Sequence, residues 1–161
     1  MQTASDTDSP RQAHQLPTPP SLHAGQVSSD LQWIVGMLQF GGDDEYLGKQ
    51  IAAVIASTGD DVGIFCSTYF NTLHEWFPIL PSRDIYDRIA SLSTGPSPDF
   101  ALLVLCIHLI TKIDKIGYDC KAMMKFYLTT KRFYSFITAT GQTSKELVQS
   151  GVLLALYEYG N

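Results

Sequence analysis

Cysteine is scarce in this sequence, and no two cysteines lie close together. The 161 residues include three, Cys66, Cys106 and Cys120, with 39 and 13 residues between them. A tetrahedral zinc site usually takes its ligands from Cys-x-x-Cys pairs, and none is present. Each cysteine lies among apolar residues, where a thiol behaves as a small hydrophobic side chain. We therefore expect no zinc site and three free thiols, which is typical of a reducing intracellular compartment.

Positive charge is also scarce. Eleven basic and 16 acidic residues give a formal net charge of −5, which argues against a surface built mainly to bind nucleic acid. Six of the basic residues nevertheless lie within residues 112–132. We expect these to form the solvated face of a helix. A helical nucleic-acid-binding protein that uses Lys121, Lys125 and Arg132 is an alternative.

Long apolar runs, glycine-rich phosphate loops and clustered metal ligands are missing as well. The longest apolar run, "FALLVLCIHLI", has eleven residues and would cover roughly 16 Å as a helix, about half of a hydrocarbon core of about 30 Å. It predicts a buried helix and not a membrane span. The four histidines are dispersed along the chain. We therefore expect no metal and no cofactor.

Proline divides the chain into two parts. Residues 1–28 hold four of the eight prolines among Ser, Thr, Asp and Gln, a composition that buries too little apolar surface to fold. They predict a disordered tail or linker, and "DLQWIVGMLQFGG" after it predicts a short helix. Proline is absent from residues 99–161, which favours long helices. We expect a helical domain over residues 43–161.

Apolar residues recur at helical spacing through this domain. A first helix is predicted after Asp43 with a stop at Gly59, and a second over residues 62–73. A short helix capped by Ser82 or Asp84 follows two prolines. The apolar positions of the first two helices are Leu47, Ile51, Val54, Ile55, Val62, Phe65, Cys66, Tyr69, Phe70 and Leu73.

The later part of the chain predicts three more helices. Ser97 is the expected N-cap of a helix that runs to about residue 116. A second spans residues 119–139 and stops at Gly141, and a third starts with a capping box from Thr143 to Glu146. The side chains expected to be buried in the second are Met123, Phe126, Tyr127, Phe133, Tyr134 and Ile137. The fold class is therefore all-α, an irregular bundle of five or six helices.

Two pairs of residues could be read as catalytic, and helical geometry argues against both. His74 and Glu75 are neighbours, and neighbours on a helix do not face each other. We expect His74 to interact with backbone carbonyls or the helix dipole. Cys106 and His108 point about 200° apart at about 100° per residue, so we expect a core thiol and a hydrogen-bonded core histidine. A small helical enzyme with a site assembled from His74, Cys106 and His108 is the alternative.

The stretch "YFNTLHEWFPIL" resembles the start of the fungal-specific transcription factor domain, the middle homology region of fungal zinc binuclear cluster transcription factors. The helix near the end of the chain looks like a second landmark of this family, with Tyr157 and Glu158 in its tyrosine-glutamate ending. The positions that match the first landmark are Tyr69, Phe70, His74, Phe77, Pro78, Ile79 and Leu80.

The resemblance implies a non-enzymatic, nuclear regulator of transcription that acts through protein partners or self-association; without it, a cytoplasmic location is expected. The family's six-cysteine zinc cluster is missing here, so we expect no sequence-specific DNA binding from this chain alone. The match covers the N-terminal part of the family domain, so the helical domain is expected to be incomplete.

Two structural expectations follow from this interpretation. The first is that Trp76, Phe77, Ile79 and Leu80 anchor the following helices through buried apolar contacts. The second is that the apolar helix at residues 100–110 needs cover on every side and, in an incomplete domain, leaves part of its surface exposed. Exposed apolar surface of that kind favours self-association.

Overall fold

The structure is a computed structural model that describes residues 43–112 and 120–160. The expected tail, the expected short helix before residue 43 and the side chain of Cys120 lie outside these residues. The described helices are α1 (Asp44–Ser57), α2 (Val62–Asn71), α3 (Leu73–Trp76), α4 (Ser82–Arg88), α5 (Ser91–Thr94), α6 (Pro98–Ile110), α7 (Cys120–Ala139) and α8 (Lys145–Gly160).

The all-α prediction is confirmed, because residues 43–112 and 120–160 contain helices and no strand. The first two helices begin as local chemistry dictates. The Asp43 carboxylate accepts a hydrogen bond from the Glu45 amide, and the Asp61 carboxylate accepts one from the Ile64 amide, each satisfying an amide that has no partner within its helix. Gly59 and Gly141 follow α1 and α7 with φ of 72° and 76°, the left-handed conformation that favours glycine.

Three predicted helix ends are wrong in detail. α4 begins at Ser82 after Pro81 and has no side-chain cap, so neither Ser82 nor Asp84 caps it. Ser97 does precede Pro98 at the start of α6, but its hydroxyl accepts from the Arg88 guanidinium instead of capping the helix. That helix ends at Ile110, and Thr111 and Lys112 form a turn; residues 113–116 lie outside the described part.

The predicted capping box at the start of α8 does not form, and the capping hydroxyl lies one residue later than predicted. The hydroxyl of Ser144, not that of Thr143, accepts a hydrogen bond from the Leu147 amide at 3.0 Å. The Glu146 side chain binds Arg88 of α4 and does not return to the cap. Glu146, which the sequence pattern assigns to capping of its own helix, therefore forms an ion pair with another helix instead.

Helix α6 forms the centre of the fold and contacts α1, α2, α7 and α8. Every side chain from residue 100 to residue 110 is buried, because neighbouring helices cover all of its faces. The expectation that part of this helix is exposed is therefore wrong, and with it the stated reason for self-association. Residues of α1, α2, α4, α7 and α8, and Leu80 in the segment before α4, complete the core: Leu47, Ile51, Ile55, Phe65, Cys66, Tyr69, Leu80, Ile85, Phe133, Ile137, Leu147, Leu153, Leu154 and Tyr157.

Helix α7 is less deeply embedded than its sequence predicts. Phe133 and Ile137 are buried as expected, and Thr130 joins them by donating its hydroxyl to the Phe126 carbonyl. The other four expected core side chains are only half-buried: Met123, Phe126, Tyr127 and Tyr134. Helix α7 therefore presents only a narrow stripe to the core.

By length and composition, none of the described helices alone could cross a membrane, although two sharply bent pairs, α1 with α2–α3 and α4–α5 with α6, pass that test together.

Candidate functional site

The sequence 69–80 forms a corner between α2 and α4. Tyr69 is fully buried, and its hydroxyl donates to the Phe77 carbonyl at 3.5 Å. Burial raises the pKa of this phenol to about 12, since the charged form loses its hydration. The Phe77 carbonyl also accepts from the Ile79 amide at 2.9 Å. The corner is thus a tight turn closed by hydrogen bonds around Pro78.

Aromatic rings fill the outer side of this corner. The ring of Phe70 lies 5.1 Å from that of His74 and 5.6 Å from that of Tyr86 in α4, and the Tyr86 hydroxyl hydrogen-bonds Ser67. His74 therefore packs edge-to-face in an aromatic cluster, a favourable ring geometry. Among the described residues its buried Nδ1 has no hydrogen-bond partner, so this atom binds none of their backbone carbonyls. His74 does lie in the last turn of α3, where the expected interaction with the helix dipole places it.

Two of the four expected anchors at the corner point away from the core. Trp76 is 87% exposed and Phe77 is 41% exposed, whereas Leu80 is fully buried and Ile79 half-buried. Leu80 anchors the chain as expected. The anchoring role predicted for Trp76 and Phe77 is wrong, because these two residues end and cap the four-residue helix α3, which buries none of its side chains.

Helix α8 connects the corner to the rest of the bundle. The side-chain amide of Gln149 donates to the Ile79 carbonyl at 2.7 Å, which joins the two segments that carry the family resemblance. Arg88 of α4 pairs with Glu146 at 2.5 Å, and its guanidinium lies over the ring of Phe100. Burial raises the pKa of Glu146, but the Arg88 contact and a backbone hydrogen bond outweigh it, so the net pKa is lowered.

The second landmark, Tyr157 and Glu158, binds α7. The ring of Tyr157 stacks on that of Tyr127 at 5.3 Å, and the Glu158 carboxylate accepts from the Tyr127 hydroxyl and from Lys131, both at 2.6 Å. The hydrogen bond from Lys131, then that from Tyr127, lower the pKa of Glu158. These residues fasten α8 to α7, and their role in this structure is structural.

Three ionisable groups converge where α1 joins α2, and the sequence interpretation missed two of them. Asp60 Oδ2 lies 2.7 Å from His108 Nε2 and 2.7 Å from Lys112 Nζ. Asp60 accepts from both, because an ionised carboxylate can only accept. The hydrogen bond from Lys112, followed by that from His108, lowers the pKa of Asp60. The prediction that His108 is a hydrogen-bonded core histidine is confirmed.

His108 is wedged between aromatic rings. The rings of Phe65 and Phe126 lie 4.7 and 5.1 Å from the imidazole, both edge-to-face. His108 and Lys112 side chains are 5% exposed, whereas that of Asp60 is 40% exposed. The cluster therefore presents its carboxylate to solvent and keeps the two hydrogen-bond donors, His108 and Lys112, inside. Asp60 lies 48 residues before His108 and 52 residues before Lys112 in the sequence. At such separations no local sequence pattern indicates that the three residues meet.

An acid-sensitivity test follows from this cluster. We expect Asp60→Asn to lower the free energy of unfolding by about 1–2 kcal/mol near neutral pH, because two buried donors lose a charged acceptor. The folded-state pKa lies below the ordinary value of 3.8. The contribution is therefore fully present above that value and disappears as the pH falls through the folded pKa.

Urea unfolding of both proteins between about pH 6 and pH 2 measures this difference. The matched control is Asp61→Asn, because asparagine also caps helix α2. A difference that stays constant down to the lowest pH would contradict the assignment.

Cys106 is a core thiol, as predicted. It is 1% exposed, and burial raises the pKa of the thiol to about 12, with a smaller opposing effect from its hydrogen bond with Ser150. Burial, and secondarily Asp61, raises the pKa of Cys66 to about 12 as well. Such thiols stay protonated and are poor nucleophiles.

The residues of the alternative enzyme site are not brought together. His74 packs with Phe70, Cys106 contacts Ser150 of α8, and His108 binds Asp60. These are three separate environments. Among the described residues, no group of three or more His, Cys, Asp or Glu side chains is placed to hold a metal ion.

The basic face of α7 has the geometry that its spacing predicts. Lys121, Lys125 and Arg132 are all exposed and lie within about 40° on the helix at about 100° per residue. Met124 and Leu128 are exposed beside them, at 54% and 46%. The face is thus mixed basic and apolar.

A pocket of about 350 Å³ opens between the end of α1, Asp60 and the segment that joins α4 to α5. Its walls are mostly apolar and include Ala52, Ile55, Ala56, Ala90 and Leu92. Three alanines among these leave the space open, because no side chain extends across it. Asp60 lines the same pocket.

Comparison of the chain with protein-family models, curated proteins and solved structures finds no match to any of them.

Proposed function

We propose that this protein is a non-enzymatic helical module that regulates transcription through contacts with a protein partner, as its resemblance to the fungal transcription factor domain implies. The observation that carries the proposal is the pair Trp76 and Phe77, held outward at a fixed corner. The proposed place of action is the nucleus. DNA recognition is assigned to the partner, because this sequence carries no zinc cluster.

The corner has the properties of a protein-binding surface. Tryptophan, tyrosine and phenylalanine are enriched at protein interfaces and carry much of their binding energy. Trp76 and Phe77 adjoin the cluster of Phe70, His74 and Tyr86 in sequence or in space. A tryptophan that is 87% exposed contributes little to the stability of its own chain, which supports a role toward another protein.

The corner is also stiff, which supports binding. Leu80 is buried below it, Tyr69 closes it with a hydrogen bond, and Gln149 fixes the Ile79 carbonyl. Aromatic side chains on a fixed backbone lose little conformational entropy when they bind. The proposed partner presents an apolar pocket for the indole and hydrogen-bond acceptors at its edge for the indole N–H.

The use of the reactive side chains supports a non-enzymatic role. His108 and Asp60 connect α6 to the α1–α2 junction, Cys106 is a protonated core thiol, and Glu158 fastens α8 to α7. Each of these groups is engaged in a contact between helices.

The test fuses the full chain to an unrelated DNA-binding domain and measures transcription from a reporter with the matching site in a fungal host. We expect the fusion to change reporter output and Trp76→Ala to abolish most of that change, because the indole is the proposed anchor. The control is Tyr159→Ala, an aromatic that is 93% exposed on α8.

Both substitutions are expected to leave the thermal midpoint within a degree or two, since exposed side chains contribute little to stability. A fusion that leaves the reporter unchanged contradicts a regulatory role. Equal losses from Trp76→Ala and Tyr159→Ala contradict the assignment of the corner as the binding surface.

A further inference from the structure

We propose that the pocket between α1 and the α4–α5 segment binds a small, largely apolar molecule with a single hydrogen-bond donor head group, an amine or an alcohol, and that Asp60 receives this head group. The pocket has about 350 Å³ and is lined by Ala52, Ile55, Ala56, Asp60 and Leu92 among others. This site lies on a different part of the chain from the corner and does not depend on the transcriptional role.

The lining determines the body of the ligand. Pockets for small molecules have volumes of about 300–1,000 Å³ and are mostly apolar with a few placed polar groups. This pocket lies at the low end of that range, so it suits a single ring or a short branched chain. Ala56 and Ala90 contribute only methyl groups, which leaves the space available without any change in the backbone.

The carboxylate determines the head group. Lys112 and His108 both bind Oδ2 of Asp60, and neither of them lines the pocket. The side chain is therefore held from inside the protein through Oδ2, and Oδ1 is the oxygen that we assign to the head group of the ligand.

The fixed carboxylate also excludes one class of ligand. An ionised carboxylate offers only acceptor oxygens, so a ligand carboxylate, which also lacks a donor, forms no hydrogen bond with Asp60. Amines and alcohols both donate to Oδ1. The pocket is thus selective for the head group through Asp60 and tolerant of the apolar body.

The experiment uses three probes that share one phenyl body: phenethylamine, 2-phenylethanol and 3-phenylpropionate. Each is titrated at millimolar concentration into the full chain while ¹H–¹⁵N spectra are recorded. We expect the amine and the alcohol to shift the amide signals of Ala52, Ile55 and Leu92 in a saturable manner. The carboxylate probe is expected to produce no such shifts.

Two matched pairs of variants localise the binding. Ala56→Phe places a ring in the pocket, whereas Ala53→Phe adds the same ring on the same helix, and both alanines are exposed. We expect Ala56→Phe to abolish saturable binding and Ala53→Phe to preserve it. Asp60→Asn should weaken phenethylamine by about tenfold, and Asp61→Asn should leave its affinity unchanged.

The outcomes separate clearly. Absence of saturable shifts with both donor probes overturns the proposal, as does equal binding by Ala56→Phe and Ala53→Phe. Binding of 3-phenylpropionate as tight as that of phenethylamine overturns the role of Asp60. If Ala56→Phe fails to fold, the Asp60→Asn and Asp61→Asn pair decides, with unequal affinities supporting the site and equal affinities refuting it.

Discussion

Phe100→Ala is expected to lower the free energy of unfolding by about 3–5 kcal/mol. Phe100 is completely buried in the first turn of α6, so its removal leaves a cavity that the surrounding helices cannot close. The guanidinium of Arg88 lies 4.2 Å from the ring centroid, and it loses that contact as well. Urea unfolding of the wild-type and variant chains, followed by circular dichroism, measures the difference.

The control for this prediction is Phe77→Ala. Both substitutions replace a phenylalanine with alanine, but Phe77 is 41% exposed. We therefore expect Phe77→Ala to lower the free energy of unfolding by only about 1 kcal/mol. The corner motif predicts the opposite order, because it assigns the anchoring role to Phe77. Equal losses at the two positions would contradict the central place of α6.

Gly48→Ala is expected to destabilise the protein by about 3 kcal/mol, the upper end of what overpacking usually costs. A β-carbon at Gly48 would lie 1.9 Å from the Pro96 carbonyl oxygen, a backbone atom that has no flexible side chain to move aside. The substitution must push α1 away from the start of α6, and overpacking of this kind is costly. This expected loss of stability is opposite to the intrinsic helix propensity, because alanine in the interior of a helix is ordinarily more favourable than glycine by about 1 kcal/mol.

Gly95→Ala is the matched control for Gly48→Ala. A β-carbon at Gly95 meets nothing within 4 Å, and its φ of −178° is available to any residue. We expect a change within about 0.5 kcal/mol. Thermal unfolding followed by circular dichroism compares the two variants, and a neutral Gly48→Ala would show that α1 and the Pro96 carbonyl lie further apart.

The sequence predicts the fold class well because the strongest pattern coincides with the centre of the molecule. Residues 100–110 are apolar on every side, and an element of that kind has to be surrounded. Gly59 and Gly141 end their helices for a local reason, the left-handed conformation. An apolar run and a glycine at a helix end both depend on residues close in sequence, so they can be recognised from the sequence alone.

The sequence predicts the candidate sites poorly because they depend on tertiary placement. Trp76 and Phe77 have the composition of buried anchors, yet α3 turns them outward. Glu146 fits a capping box, yet Arg88 binds it. Asp60 and Lys112 meet across 52 residues. Nothing in the local pattern distinguishes these outcomes from their alternatives.

The position of α6 has a consequence for biosynthesis. This helix makes its most extensive contact with α8, which begins more than thirty residues later in the chain. Until the ribosome has made α8, the apolar face of α6 that packs against α8 in the folded protein has no partner helix. Nascent chains with such faces aggregate readily. The yield of this protein should therefore depend on translation speed and chaperone supply as well as on its final stability.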